Sequence, residues 1–275
     1  MIIVALVVFG LVFGSFVNAL VWRVHEQDKK GSKASKLDLS IGKGRSMCPN
    51  CHHQLQGKDL IPVLSWLSLR GKCRYCHKAI SVQYPMVELA TAGLFVGSYI
   101  WWPVAFNATQ SYLFVIWLLI IVGLVALTVY DLRWYLLPNR IMTPIAWLAA
   151  LYAGISIATA NRPVTALINT ALAVLIGGGI FYVLFQLSGG KWIGGGDVKL
   201  GWLLGLIAGT PSRALLFIFI ASIAGTLVSL PLLATKRLKK SQVIPFGPFL
   251  ILGLIVTQLF GSAILDWYQR VFLNI

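Results

Sequence analysis

Long apolar runs, separated by turn residues and basic clusters, dominate the chain. They lie near 2–22, 85–105, 112–130, 141–160, 165–187, 198–211, 214–234 and 246–265. Most approach the roughly 20 residues that carry a helix across a hydrocarbon core of about 30 Å; the 198–211 run is shorter and rich in glycine. The pattern predicts an all-α polytopic membrane protein with about eight transmembrane helices. One long polar segment interrupts it, Arg23–Tyr84, within which His25–Arg45 is poor in apolar residues. The expected organisation is therefore a first transmembrane helix over 1–22, an insert over 23–84 and a membrane domain over 85–275. Met1–Trp22 has no basic residue ahead of its apolar stretch, and that stretch exceeds a secretory signal core, so it reads as a retained anchor.

Composition agrees. The chain is 58% apolar and 11% charged, whereas a soluble domain carries about a quarter charged residues. The net charge of +15 would suit a nucleic-acid binder, but its distribution gives another explanation. Of the 23 lysines and arginines, all except Arg162, Arg213 and Arg270 fall in the 23–84 segment and the 131–140, 188–199 and 235–243 loops. With eight spans these all share one face, which the positive-inside rule makes cytosolic, with the N-terminus outside. Attraction to anionic lipid headgroups, about 1 kcal/mol per basic residue, uses that charge. No basic stripe interleaved with aromatics is present, so no nucleic-acid partner is expected.

Only eight acidic residues occur, and Glu88, Asp131 and Asp197 are the ones in or at the edge of apolar spans. An ionisable group there is costly unless paired or hydrated, which makes it a functional candidate. Asp131 closes one span in Tyr130-Asp131-Leu132-Arg133; Asp197 opens another in Gly194-Gly195-Gly196-Asp197. Those spans run in opposite directions, so both carboxyls are expected at the same depth on the cytosolic side. Two carboxyls sharing a water and one proton can hydrolyse a peptide bond. The glycines before Asp197 would let an extended backbone approach it. Plainer readings stand beside this one: a helix end at which Arg133 pairs with Asp131, and an N-cap role for Asp197. Glu88, one turn after Tyr84-Pro85, suits the start of a helix.

The four cysteines form Cys48-x-x-Cys51 and Cys73-x-x-Cys76, the spacing of a four-thiolate zinc knuckle, with Pro49 and Gly71 shaping the turns. In a reducing cytosol a metal is expected rather than disulfides. Four protein ligands leave no open position, so the expected zinc is structural. It would stabilise a segment too polar to fold alone. His52, His53 and His77 adjoin the pairs as spare surface histidines or substitute ligands.

With these residues laid out, the chain resembles the prepilin leader peptidase family of type IV pilus, type II secretion and competence systems. The matching segments begin with Phe13-Gly14-Ser15-Phe16-Val17-Asn18 and Arg23. They continue through Arg45-Ser46-x-Cys48-Pro49-x-Cys51, Asp59-Leu60-Ile61-Pro62, Gly71-Lys72-Cys73-Arg74-Tyr75-Cys76 and Tyr84-Pro85-x-x-Glu88. The membrane half matches at Asp131-Leu132 with Leu137-Pro138, at Gly194-x-Gly196-Asp197-x-Lys199-Leu200, and at Pro245-Phe246-Gly247-Pro248. Asn139 departs from the pattern, an acidic residue being common there. The resemblance implies a bacterial inner-membrane aspartyl endopeptidase with Asp131 and Asp197 catalytic and Gly194, Gly196 and Lys199 as a supporting loop. Its substrates would be prepilins or pseudopilins, whose short basic leader is cut at the cytosolic face. It further implies N-methylation of the new N-terminus by S-adenosyl-L-methionine. No G-x-G-x-x-G-type loop marks a donor site; its residues are expected in the insert and at the ends of the first helix, with Glu88 a candidate for cofactor binding.

Two other classes share part of this pattern. A presenilin or signal-peptide-peptidase type also pairs Tyr-Asp with G-x-G-D, but it lacks the four-cysteine insert, and its Pro-Ala-Leu motif is absent here. A non-enzymatic zinc-containing transporter would place polar groups at mid-membrane, whereas the charges here sit at its edge.

Overall fold

A computed structural model describes residues 1–29, 39–41, 44–234 and 244–273. The basic 235–243 loop, with Lys236, Arg237, Lys239 and Lys240, lies outside the described residues, as does most of 30–43. The described chain is helical and contains no sheet, only two isolated bridges. Its helices are α1 (Ile2–Asp28), α2 (Leu64–Ser68), α3 (Gln83–Ile100), α4 (Ala108–Trp134), α5 (Asn139–Ala158), α6 (Pro163–Ser188), α7 (Gly195–Ala208), α8 (Pro211–Ala234) and α9 (Gly247–Tyr268). They fall into two compact units, Met1–Ile100 and Trp101–Ile275.

Boundary residues explain where the helices begin and end. Asn107 caps α4, its side chain accepting the Gln110 N–H at 2.8 Å. Pro163 opens α6, where its missing N–H costs nothing. The left-handed Gly189 and Gly209 end α6 and α7.

Six helices, α1, α4, α5, α6, α8 and α9, are long and apolar enough to cross a membrane. By length and composition alone the expected count of eight is not confirmed. The polar start of α3, Gln83-Tyr84-Pro85 with Glu88 following, lowers its apolar character. At 14 residues, α7 spans about 21 Å, short of a bilayer core. Protein shields it instead: α7 packs on α5, α6, α8 and α9, with Leu200 and Leu204 fully buried.

Small residues bring the helices together, since lipid offers no hydrophobic drive for two apolar helices to associate. A Cβ on Gly177 would lie 2.7 Å from Gly201 O, and one on Gly205 would lie 2.5 Å from Ala173 O, so α6 and α7 touch backbone to backbone. In the first unit, a Cβ on Gly14 of α1 would lie 2.6 Å from Glu88 Cα of α3. α4 forms the core of the second unit, burying Trp117, Ile120, Ile121, Leu124 and Leu127 completely.

Gly14→Ala is expected to lower the melting temperature in detergent, since overpacking costs about 1–3 kcal/mol. Gly93→Ala on α3, with nothing within 4 Å of the new methyl, should melt with the wild type. Equal melting of all three proteins would contradict the close α1–α3 approach.

Candidate active site and metal centre

In the second unit, the end of α4 meets the starts of α5, α7 and α9. Asp131, in the last turn of α4, is 5% exposed. The helix stops at left-handed Tyr135 (φ 56°), whose N–H returns to Asp131 O at 2.8 Å. Leu137-Pro138 then leads into α5. Asp197 is the third residue of α7 and half-buried. It is not the N-cap; Gly194 is, and the Asp197 carboxylate reaches back to accept the Gly194 N–H. That is one half of a capping box.

The two carboxyls lie within electrostatic reach of each other. The Asp131 carboxylate accepts the backbone N–H of Gly247, the first residue of α9. A Cβ at position 247 would lie 2.5 Å from Asp131 Oδ2. A Cβ on Gly196 would lie 3.2 Å from the Leu137 side chain, so the Gly194-x-Gly196 turn packs against the segment leaving Asp131. Lys199 Nζ donates to Asn139 Oδ1 at 3.2 Å, linking α7 to the start of α5; the departure at Asn139 keeps an acceptor there. No ion pair joins Asp131 to Arg133 among the described residues, and Arg133 instead lies 5.6 Å over the Trp134 ring. Gly247 is the residue whose part sequence reasoning missed. Its signals were a glycine before a proline at a helix start and its place in the Pro245-Phe246-Gly247-Pro248 segment of the resemblance.

The first unit contains the cysteines. All four Sγ atoms lie within 4.8 Å of one another, and Cys48 Sγ is 3.9 Å from Cys76 Sγ. The two pairs share one construction. The Cys48 N–H donates to His53 O and the Cys73 N–H to Lys78 O; His52 N–H returns to Cys48 O, and His77 N–H to Cys73 O. Antiparallel bridges, Met47 to Gln54 and Lys72 to Ala79, close each loop. His52 and His77 take the left-handed position (φ 56° in both), and His53 lies against Tyr75 with ring centroids 3.7 Å apart. The histidines thus build turns, and the clustered donor set is the four thiols. Burial pushes the Cys73 thiol up, but N–H groups of Cys76 and Tyr75 outweigh it and bring the thiol down to about 7. An S₄ cluster of these dimensions can hold a tetrahedral metal ion.

Around the knuckles, side chains supply what apolar residues do not. Asp59 accepts from Arg74 Nε at 2.7 Å, Tyr75 Oη at 3.0 Å and the Gln56 N–H at 3.2 Å. Trp66 donates to Ile80 O at 3.2 Å and covers left-handed Gly71 (φ 68°), where a Cβ would lie 3.0 Å from the indole. Arg23, 5% exposed, donates to the carbonyls of Ser40, Ile41 and Gly44. Glu88 accepts the Val63 N–H at 2.7 Å.

Two family profiles match the chain: the bacterial peptidase A24 N-terminal domain over residues 8–102, and the type IV leader peptidase family over residues 117–230. A prepilin leader peptidase/N-methyltransferase of Bacillus subtilis (strain 168) is 32% identical over 98% of each chain. The chain belongs to the type IV leader peptidase family. As a member it is also similar to the prepilin leader peptidase/N-methyltransferase of Aeromonas hydrophila, 31% identical over 96% of this chain and 93% of that one. A type 4 prepilin-like proteins leader peptide-processing enzyme of Escherichia coli O78:H11 is 34% identical over 90% of each. No solved structure matches. With six helices able to cross a bilayer, this leader peptidase family member is a multi-pass membrane protein.

Burial pushes the Asp59 carboxyl up, but its bonds from Arg74, Tyr75 and the Gln56 N–H outweigh this and hold it below the usual carboxylate range. Its contribution to stability is therefore present at neutral pH and is lost as pH falls through the depressed folded value, below about 4. Asp59→Asn should lower the melting temperature at pH 7, and the gap to wild type should close in acid. Equal melting at pH 7 would contradict the contribution.

Proposed function

We propose that this protein is an aspartyl endopeptidase of the bacterial inner membrane. It removes the short basic leader of type IV prepilins or pseudopilins at the cytosolic face and N-methylates the residue exposed. The observation that carries the peptidase reading is the meeting of Asp131 and Asp197, on separate helices, at one end of the second unit. With all eight apolar runs crossing, the lysine and arginine distribution supports placing that end in the cytosol.

In this reading one carboxylate removes a proton from water as the water attacks the scissile carbonyl. The other, protonated, donates a hydrogen bond to the carbonyl oxygen, and a proton then passes to the leaving amine. The Gly247 N–H holds the Asp131 carboxylate, and Gly194 and Gly196 leave room for an extended substrate. Lys199 fixes the approach of α7 to α5 through Asn139.

Zinc on Cys48, Cys51, Cys73 and Cys76 is assigned a structural role, because four thiolates saturate it. When bound, S-adenosyl-L-methionine supplies the methyl group. Among the described residues the first unit offers a buried carboxyl, Glu88, and an orphaned buried amide oxygen, Asn18 Oδ1, that fit a cationic donor.

Asp131→Asn and Asp197→Asn should each reduce cleavage of a purified prepilin by about 10²–10⁴-fold, with membrane insertion unchanged. Gly247→Ala should cost up to about 10²-fold, chiefly in kcat, because small displacements of a reacting group are that expensive. Full cleavage by either aspartate variant would refute the pair. Separately, elemental analysis should find about one zinc per chain, and Cys73→Ser should lose it and melt earlier. Metal-free protein of wild-type stability would refute the zinc assignment.

A further inference from the structure

The cleavage chemistry leaves one buried carboxyl without a part. Glu88 on α3 is 6% exposed. Its carboxylate accepts the Val63 N–H at 2.7 Å and a hydrogen bond from Ser15 of α1. No cationic side chain among the described residues pairs with it. A carboxylate in an apolar helix pair is costly to keep without a counter-ion.

Asn18, one turn beyond Ser15 on α1, is 4% exposed. Its Nδ2 donates to Gly14 O at 3.3 Å and to Tyr84 O at 3.1 Å, while its Oδ1 has no donor. Reversing the amide would set its oxygen against two carbonyls, so the hydrogen-bond network fixes the orphan as an acceptor. Tyr84 precedes Glu88 by one turn of α3, so Ser15 and Asn18 face one stretch of that helix.

A third observation concerns Val63, the donor to Glu88. It is the centre of a tight γ-turn (φ 61°, ψ −51°), with Leu64 N–H on Pro62 O at 2.6 Å. A β-branched residue rarely holds this conformation, and such strain gathers at ligand clamps. Here it aims a backbone N–H at the carboxylate.

The α1–α3 contact therefore buries a carboxyl and an unpartnered amide oxygen, with no cationic side chain among the described residues paired with the carboxyl. A bare anion such as phosphate would find only acceptors there. The geometry points to Glu88 and Asn18 as binding residues for an organic cation, an ammonium or sulfonium group. The inference rests on the methyltransferase half of the proposed function, which provides two such cations. One is S-adenosyl-L-methionine, with both an α-ammonium and a sulfonium; the other is the free amine of the trimmed substrate.

The test is calorimetric titration of the purified full chain in detergent. The probes are S-adenosyl-L-methionine, its uncharged fragment 5′-methylthioadenosine, and a peptide with a free N-terminal amine. Wild-type protein should bind at least one of the two cations at least tenfold more tightly than the neutral fragment. Glu88→Gln, which keeps an acceptor for Val63 but removes the charge, should lose at least tenfold for that cation and nothing for the fragment. Loss confined to the sulfonium compound assigns Glu88 and Asn18 to the methyl donor; loss confined to the peptide assigns them to the acceptor amine. Metal content and melting temperature report whether Glu88→Gln folds, and if it does not, the wild-type comparison decides alone. The inference is overturned if wild-type protein prefers neither cation, or if folded Glu88→Gln binds both as tightly as wild type. Wild-type protein that binds a cation but leaves prepilin uncut would sink the cleavage reading and not this one.

Discussion

A polar group withdrawn from water inside a helix bundle has to be met by another group of the protein, and for the buried Asp131 that partner is the N–H of Gly247. Much of the second unit follows from this contact. It requires a helix start at 247, because only there is a backbone N–H free of an intrahelical partner. It also excludes a side chain at that position, since a Cβ would press on Oδ2. The starts of α5 and α7 gather at the same place, through Leu137 on Gly196 and Lys199 on Asn139. Helix beginnings are where a bundle has donors to spare, and a pair of carboxyls needs them.

The insert solves a different problem by different means. It has too few apolar residues to build a core, and two copies of one turn take the place of that core. Each copy follows a Cys-x-x-Cys pair with a left-handed histidine, and the two bring four sulfurs together. Asp59 ties the second copy to the 3₁₀ turn at Gly57–Asp59 through Arg74 and Tyr75. Trp66 lies across Gly71. Side-chain hydrogen bonds thus supply part of what hydrophobic burial provides elsewhere, and the clustered sulfurs could hold a metal ion that adds to it.

Between the helices, the recurring device is the absence of side chains. Gly14 against α3 and Gly177, Gly201 and Gly205 between α6 and α7 allow backbone contact. This explains how α7, too short to span a bilayer, keeps its place: protein rather than lipid surrounds it.

Periodicity and composition alone determined that the chain is helical and membrane-embedded, which ionisable residues lie in or at the edge of its apolar runs, and that the cysteines group as two pairs. Those properties reside in runs and spacings, and transfer energies act on them residue by residue. Tertiary structure alone decided that α7 is enclosed by α5, α6, α8 and α9, because shielding by neighbours is not written in a helix's own hydropathy. Only the fold could join Gly247 to Asp131, Val63 to Glu88, and Asp59 to Arg74. Each is a contact between segments distant in sequence, where the deciding quantity is the direction of a single N–H or carboxylate, and no local pattern encodes such a direction.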